Sequence, residues 1–158
     1  MKALWVSLLC VAGEIVLAAA LPSSVQAVQI NLNANTCQHH FTWPQEFIRS
    51  AYGISTTLDG AFPPYVICAV PRSPTVGTTA IFYVDGDNYN GAFTDCILYS
   101  FAEDGSTLAS AAFRSEAVRY DAFLTLAPGQ MDPLGYITVN CLIPSHGNGF
   151  LRGITSLP

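Results

Sequence analysis

The chain has 158 residues, is 51% hydrophobic and only 11% charged, and carries a formal net charge of −5. High apolar content with sparse charge excludes an intrinsically disordered chain. The acidic balance supplies no cluster of lysine and arginine for phosphate, so nothing in it favours nucleic acid or an anionic membrane surface as a partner.

Residues 1–27 read as a signal peptide. Met1-Lys2 gives one positive charge, Ala3 to Leu21 is mostly apolar, and Val25-Gln26-Ala27 offers a small-residue cleavage site. Glu14 interrupts the apolar stretch, which argues against a retained membrane anchor. The mature chain, 28–158, is then a single domain, secreted or periplasmic, with no later stretch apolar enough to span a membrane. It holds five arginines, no lysine and ten carboxylates. Without lysine, Schiff-base and P-loop chemistry are excluded. Cys10 leaves with the leader, and Cys37, Cys68, Cys96 and Cys141 remain as an even set expected in two disulfides. No C-x-x-C pair is present to suggest zinc instead.

Val28 to Thr36 alternates over its first half, as a short edge strand or a tail fastened at Cys37. His39-His40 are neighbours; in a strand they point to opposite faces and do not share one ion. Phe47 to Thr57 supports either a helical turn after Pro44 or a strand after Gly53. Tyr65 to Val70 is a strand with Cys68 in its middle, and Ala80 to Val84 is apolar on both faces, as in a central strand. Asp85 to Gly91 reads as a turn-rich loop. Phe93 to Phe101 and Thr107 to Phe113 flank a hairpin signal at Asp104-Gly105. Arg119 to Leu126 places Tyr120, Ala122, Leu124 and Leu126 on one face. Gly135 to Pro144 is the clearest alternation, with Ile137, Val139, Cys141 and Ile143 on one side. Phe150 to Ser156 is a last strand anchored by Leu151 and Ile154. No segment sustains a helical period. The expected fold is all-β, an antiparallel β-sandwich of about eight short strands stapled by disulfides.

The sharpest polar feature is Asp85-Gly86-Asp87-Asn88-Tyr89-Asn90-Gly91. Asp85, Asp87, Asn88 and Asn90 make it a candidate calcium or ligand loop, although Tyr89 and Asn90 break the EF-hand pattern. The competing reading is a hairpin loop in which Asn90-Gly91 supply positive φ. Trp43, Tyr89 and Phe150 lie in or beside expected loops and are candidate aromatic contacts for a sugar or a partner. No nucleophile elbow or cofactor fingerprint is present, so no catalytic residue is assigned. The segments Tyr52-Gly53-Ile54, Val66 to Arg72, Asp85 with Cys96, Val139 to Pro144 and Gly153-Ile154 together resemble a pattern in small secreted bacterial two-disulfide proteins of unknown function. That resemblance implies an exported bacterial β-domain and brings no site residues with it.

The expected function is a binding or structural interaction module rather than an enzyme, with a protein or glycan partner and no cofactor; the oligomeric state is left open. The alternatives are a calcium-dependent carbohydrate-binding domain and a secreted hydrolase assembled from His39, His146 and Asp85. Four cysteines allow three pairings. The matching strands around Cys68 and Cys141 favour Cys68–Cys141, which leaves Cys37–Cys96.

Overall fold

The computed structural model describes residues 29–40, 47–57, 64–71 and 79–157. The leader, its cleavage site and Trp43 lie outside these residues. Two antiparallel sheets pack face to face. The larger runs β3 (Phe47–Ser50), β4 (Gly53–Thr56), β11 (Gly149–Leu157), β6 (Ala80–Asn88), β9 (Arg119–Leu126), and β1 (Ile30–Asn33) pairs with β11 beside β4. The smaller runs β2 (Gln38–His39), β5 (Tyr65–Val70), β10 (Tyr136–Leu142), β7 (Thr94–Phe101), β8 (Thr107–Ser115). The architecture is therefore the expected antiparallel sandwich.

Eleven strands occupy the described residues instead of about eight. The surplus comes from the segment before residue 57, where β1, anticipated as a possible edge strand, is joined by the short β2, β3 and β4. There the ambiguous Phe47 to Thr57 segment forms the β3–β4 hairpin.

Strand alternation builds the core. Phe82 and Val84 of β6, Tyr120, Leu124 and Leu126 of β9, and Leu151 and Ile154 of β11 face Val66, Cys68, Leu98, Val139 and Cys141 of the opposite sheet. Burying such side chains stabilises the fold by about 25 cal/mol per Å² of apolar surface.

The disulfides differ from the expected pairing. Cys37 bonds Cys68 and Cys96 bonds Cys141, with Cα separations of 4.3 and 4.1 Å. β5 and β10 are indeed neighbours, and both of their cysteines face the core. Their register, however, sets Cys68 opposite Val139 and Cys141 opposite Val66, two residues out of step. Each cysteine instead has a direct cross-strand partner: Cys141 faces Cys96 across β10–β7, and Cys37 precedes the β2 strand that pairs with β5 around Cys68. Thr94 and Ser100, which share a face with Cys96, are buried as well, so this bridge is central and not peripheral.

The expected loop from Asp85 is also corrected. β6 continues to Asn88, and the turn is confined to Tyr89–Ala92, closed by Ala92 N–H donating to the Tyr89 carbonyl at 3.0 Å. Asn90 and Gly91 have φ of 55° and 71°, both left-handed, as a type I′ turn requires. The turn does not close a hairpin. It carries the chain from β6 in one sheet to β7 in the other.

Candidate functional site

The outward positions of the larger sheet form a grid. Thr155, Tyr83 and Phe123 stand side by side on β11, β6 and β9, with Asn31 of β1 beyond Thr155. In the next row Gly153, Asp85 and Asp121 are directly opposed, with Asn33 at the β1 end. Below them come Phe150, Asp87 and Arg119. Around the middle row lies a groove of about 620 Å³, walled by Asn31, Asn33, Asp85, Arg119, Asp121 and Arg152 among others. That volume falls within the range of small-ligand sites.

A β-bulge places Arg152. Leu151 pairs with Gly86 and Gly153 with Asp85, so Arg152 is the extra residue on β11. Bulges of this kind re-aim a side chain, and Arg152 Nε here donates to Asp87 Oδ2 at 2.6 Å. The Asp87 side chain is only 8% exposed, so this charge-assisted bond compensates a buried carboxylate. The bulge also explains how Leu151 and Ile154, three residues apart, both face the core.

Asp85 and Asp121 meet at the groove floor. Partial burial is the largest influence on Asp85; the charge of Asp121 and a hydrogen bond between the two carboxyls add to it, while Arg119 and Arg152 oppose. The balance raises Asp85 to about 6. At the rim, Thr155 Oγ1 donates to Asn31 Oδ1 at 2.8 Å, and the Tyr83 and Phe123 rings sit 6.4 Å apart. Phe123 is 65% exposed, an unusual position for a phenylalanine in the middle of a strand.

The residues of the candidate calcium or ligand loop do not converge. Strand alternation sends Asp85 and Asp87 to the outer face and Asn88 to the interior. Asn88 Nδ2 donates to the carbonyls of Ser115 and Ala117, and its Oδ1 accepts from Thr94 Oγ1 at 2.7 Å. Asn90 Nδ2 donates to Asn148 Oδ1 at the turn. Among the described residues no group of three or more His, Cys, Asp or Glu side chains is placed to hold a metal ion. The three residues of the hydrolase reading also lie apart. Asp85 lines the groove, His146 lines a separate cleft with Phe93 and Pro144, and His39 stacks on Phe47 in neither. Of the aromatic candidates, Phe150 is half-buried beside Asp87 on the groove's sheet, and Tyr89 is 44% exposed at the end of β6.

Arg119, Asp121, Arg152 and Asn31, which line the groove, and Phe123 in the adjoining row are residues that sequence reasoning missed. The outward half of β9, Arg119-Asp121-Phe123-Thr125, was visible in the alternation, but its neighbours depend on register. The opposite sheet has its own outer feature. Tyr99, Phe101 and Tyr136 form a run of rings with centroids 5.9 and 4.8 Å apart. Nearby, a cleft of about 290 Å³ includes Tyr65, Asp95 and Asn140, whose buried Oδ1 has no hydrogen-bond partner among the described residues.

No helix among the described residues is long and apolar enough to cross a membrane. No protein-family model and no curated protein matches the sequence. Among solved structures, the chain is similar to apo BiXyn10A CBM1, with a TM-score of 0.55 and 9% identity over 82% of this chain and 96% of that one. It is also similar to the xylan-binding module CBM15, with a TM-score of 0.50 and 12% identity over 83% of this chain and 96% of that one. At these identities the likeness is one of fold: a small, disulfide-stabilised, all-β domain laid out as a carbohydrate-binding module is.

Proposed function

We propose that this domain is an exported, non-catalytic glycan-binding module whose ligand lies in the groove on the outer face of the larger sheet. The observation that carries the reading is the row Gly153–Asp85–Asp121 lying beside the row Thr155–Tyr83–Phe123. A pyranose offers hydroxyl donors at its edge and C–H groups on its face. Paired carboxylates, a guanidinium and amide side chains answer the first, and the exposed Phe123 ring with the half-buried Tyr83 beside it answers the second. The fold likeness to a xylan-binding module supports the same class of ligand. Export follows from the leader and suits two disulfides, which persist in oxidising compartments. Calcium is not required by this reading.

The test is a polysaccharide panel followed by calorimetry on the mature domain. Phe123→Ala should weaken binding about tenfold, the loss expected for one ring–sugar contact of about 1.4 kcal/mol. Arg119→Ala should weaken it as well, while Tyr136→Ala on the opposite sheet should leave it unchanged. Loss of binding in Tyr136→Ala but not in Phe123→Ala would move the site to the other face. Failure to bind any member of the panel would end the proposal.

A further inference from the structure

Sheet edges present unpaired backbone groups, and proteins blunt them with short strands, charges, proline or bulges. Most edges here are blunted. β2 has two residues, β3 has four and carries Arg49, β1 has four, and β9 presents Arg119 and Asp121. β8 is different. It is nine residues long, and Thr107 to Phe113, Thr-Leu-Ala-Ser-Ala-Ala-Phe, contains neither charge nor proline. A bulge against β7 touches only its start, where Ser100 pairs with Ala109 and Phe101 with Thr107. Among the described residues no backbone hydrogen bond from another segment reaches its outer side.

The ladder shows which groups are free. The 4.1 Å Cα separation of Cys96 and Cys141 marks a non-hydrogen-bonded pair between β7 and β10. The N–H and C=O of Cys96 therefore turn the other way, toward Phe113 of β8. Stepping along β8, Phe113, Ala111 and Ala109 bond to β7, while Ala112 and Ser110 hold their N–H and C=O out to solvent. The pattern agrees with the hairpin end, where Ala102 N–H donates to the Ser106 carbonyl.

We infer that β8 is a homodimer edge, pairing antiparallel with β8 of a second copy about a two-fold axis at Ala111. The segment fits itself in that register. Ser110 falls opposite Ala112, each offering the free backbone groups the other needs, and Leu108 falls opposite the aliphatic stem of Arg114. Small side chains at 110, 111 and 112 let the two strands approach without a clash. Leu108, on this edge strand, is 42% exposed, so apolar surface would be buried beside the new ladder. The smaller sheet would become continuous across the dimer, leaving the outer face of the larger sheet open in both copies.

Sedimentation velocity of the mature protein tests this. A monomer–dimer equilibrium is expected that shifts with concentration from micromolar to millimolar. Replacing Ser110→Glu together with Ala112→Glu sets carboxylates opposite one another across the axis and should give a monomer with an unchanged far-UV spectrum. Ser110→Lys with Ala112→Lys should be monomeric alone and form a mixed dimer with the glutamate variant. A wild-type protein monomeric throughout, a glutamate variant that still dimerises, or a failure of the two variants to combine would overturn the inference.

Discussion

Gly86 of β6 lies directly opposite Tyr120 of β9, and the tyrosine ring folds over the space where a side chain at 86 would stand. A Cβ there would lie 2.1 Å from Tyr120 Oη, 2.3 Å from its Cζ and 2.4 Å from the Phe150 carbonyl oxygen. The glycine is thus needed for close approach: it lets Tyr120 lie inside the sandwich against Phe113, 6.0 Å away. Gly86→Ala should lower stability by about 3 kcal/mol, as overpacking in a tight core does. Tyr120→Phe should not rescue it, because Cζ and the Phe150 carbonyl remain too close. By itself Tyr120→Phe should be neutral or stabilising. Among the described residues Tyr120 Oη is buried with no hydrogen bond of normal geometry, and its one polar neighbour, Thr94 Oγ1, which lowers the phenol against the larger upward push of burial, already gives its own proton to Asn88. Urea denaturation of the three variants checks all of these statements.

The disulfides give a prediction of connectivity and one of cost. Non-reducing peptide mapping should yield Cys37 joined to Cys68 and Cys96 joined to Cys141. With sequence separations of 31 and 45, the chain-entropy relation gives each bridge about 4 kcal/mol before native strain is subtracted. The native-state consequences differ. β7 and β10 are already joined by a seven-pair ladder, so cutting Cys96–Cys141 should lower global stability without local opening. β2 pairs with β5 over only two residues, so cutting Cys37–Cys68 should also release the segment around Gln38 and His39. Amide exchange in the Cys37→Ala/Cys68→Ala variant should show that local release; uniform protection there would contradict it.

Fold class was legible because long strands announce themselves. Arg119 to Leu126 shows its buried face in Tyr120, Leu124 and Leu126, and Tyr136 to Leu142 does so in Ile137, Val139 and Cys141. What alternation does not contain is register, and register decides both the disulfides and the site. The inward face of Cys68 and Cys141 was readable, but a two-residue offset between β5 and β10 was not. Asp85 stood out as an acid in a Gly-Asn-Asp run, whereas its partner Asp121 lies far along the chain and meets it only through the β6–β9 pairing. Leu151 and Ile154 are three apart, which strict alternation forbids for two core residues and which implies the bulge that turns Arg152 outward.

Asn88 is a structural clamp in this arrangement. Its side chain holds the crossover from β8 to β9 through the carbonyls of Ser115 and Ala117, and its backbone N–H donates to Val118. Only 2% of Asn88 is exposed, so truncation would leave Thr94 and two carbonyls without their partner. Asn88→Ala should cost about 3 kcal/mol, from several buried groups losing bonds together. Asn88→Asp should cost more, since it loses both donors and buries a charge facing two carbonyls. Added calcium should not raise the melting temperature of the aspartate variant, and a calcium-dependent rise would contradict the structural role.

The Asp85–Asp121 pair makes stability depend on pH in a direction opposite to that of an ordinary salt-bridged acid. Asp85 is raised to about 6 from 3.8 by burial first and then by the charge and hydrogen bond of Asp121, against the pull of Arg119 and Arg152. Between those two values the folded state holds a proton that the unfolded state has released. This contribution is therefore fully present below about pH 4 and is lost as pH rises through about 6. Above that the two carboxylates face each other ionised. Asp121→Asn removes the like charge and can donate an amide N–H to Asp85, so it should stabilise the domain at pH 7 by about 1 kcal/mol, a value discounted for solvent screening of partly exposed groups. At pH 4 the variant and the wild type should be nearly equal. The comparison must be a difference between the two proteins, because Asp104 is held below its usual value by hydrogen bonds from Ser106 and contributes with the opposite slope in both. Melting temperatures across pH 4 to 8 should therefore diverge as pH rises, the wild type falling below Asp121→Asn. Parallel curves would show that the two carboxylates do not share a proton, and the groove floor would then carry two independent acceptors.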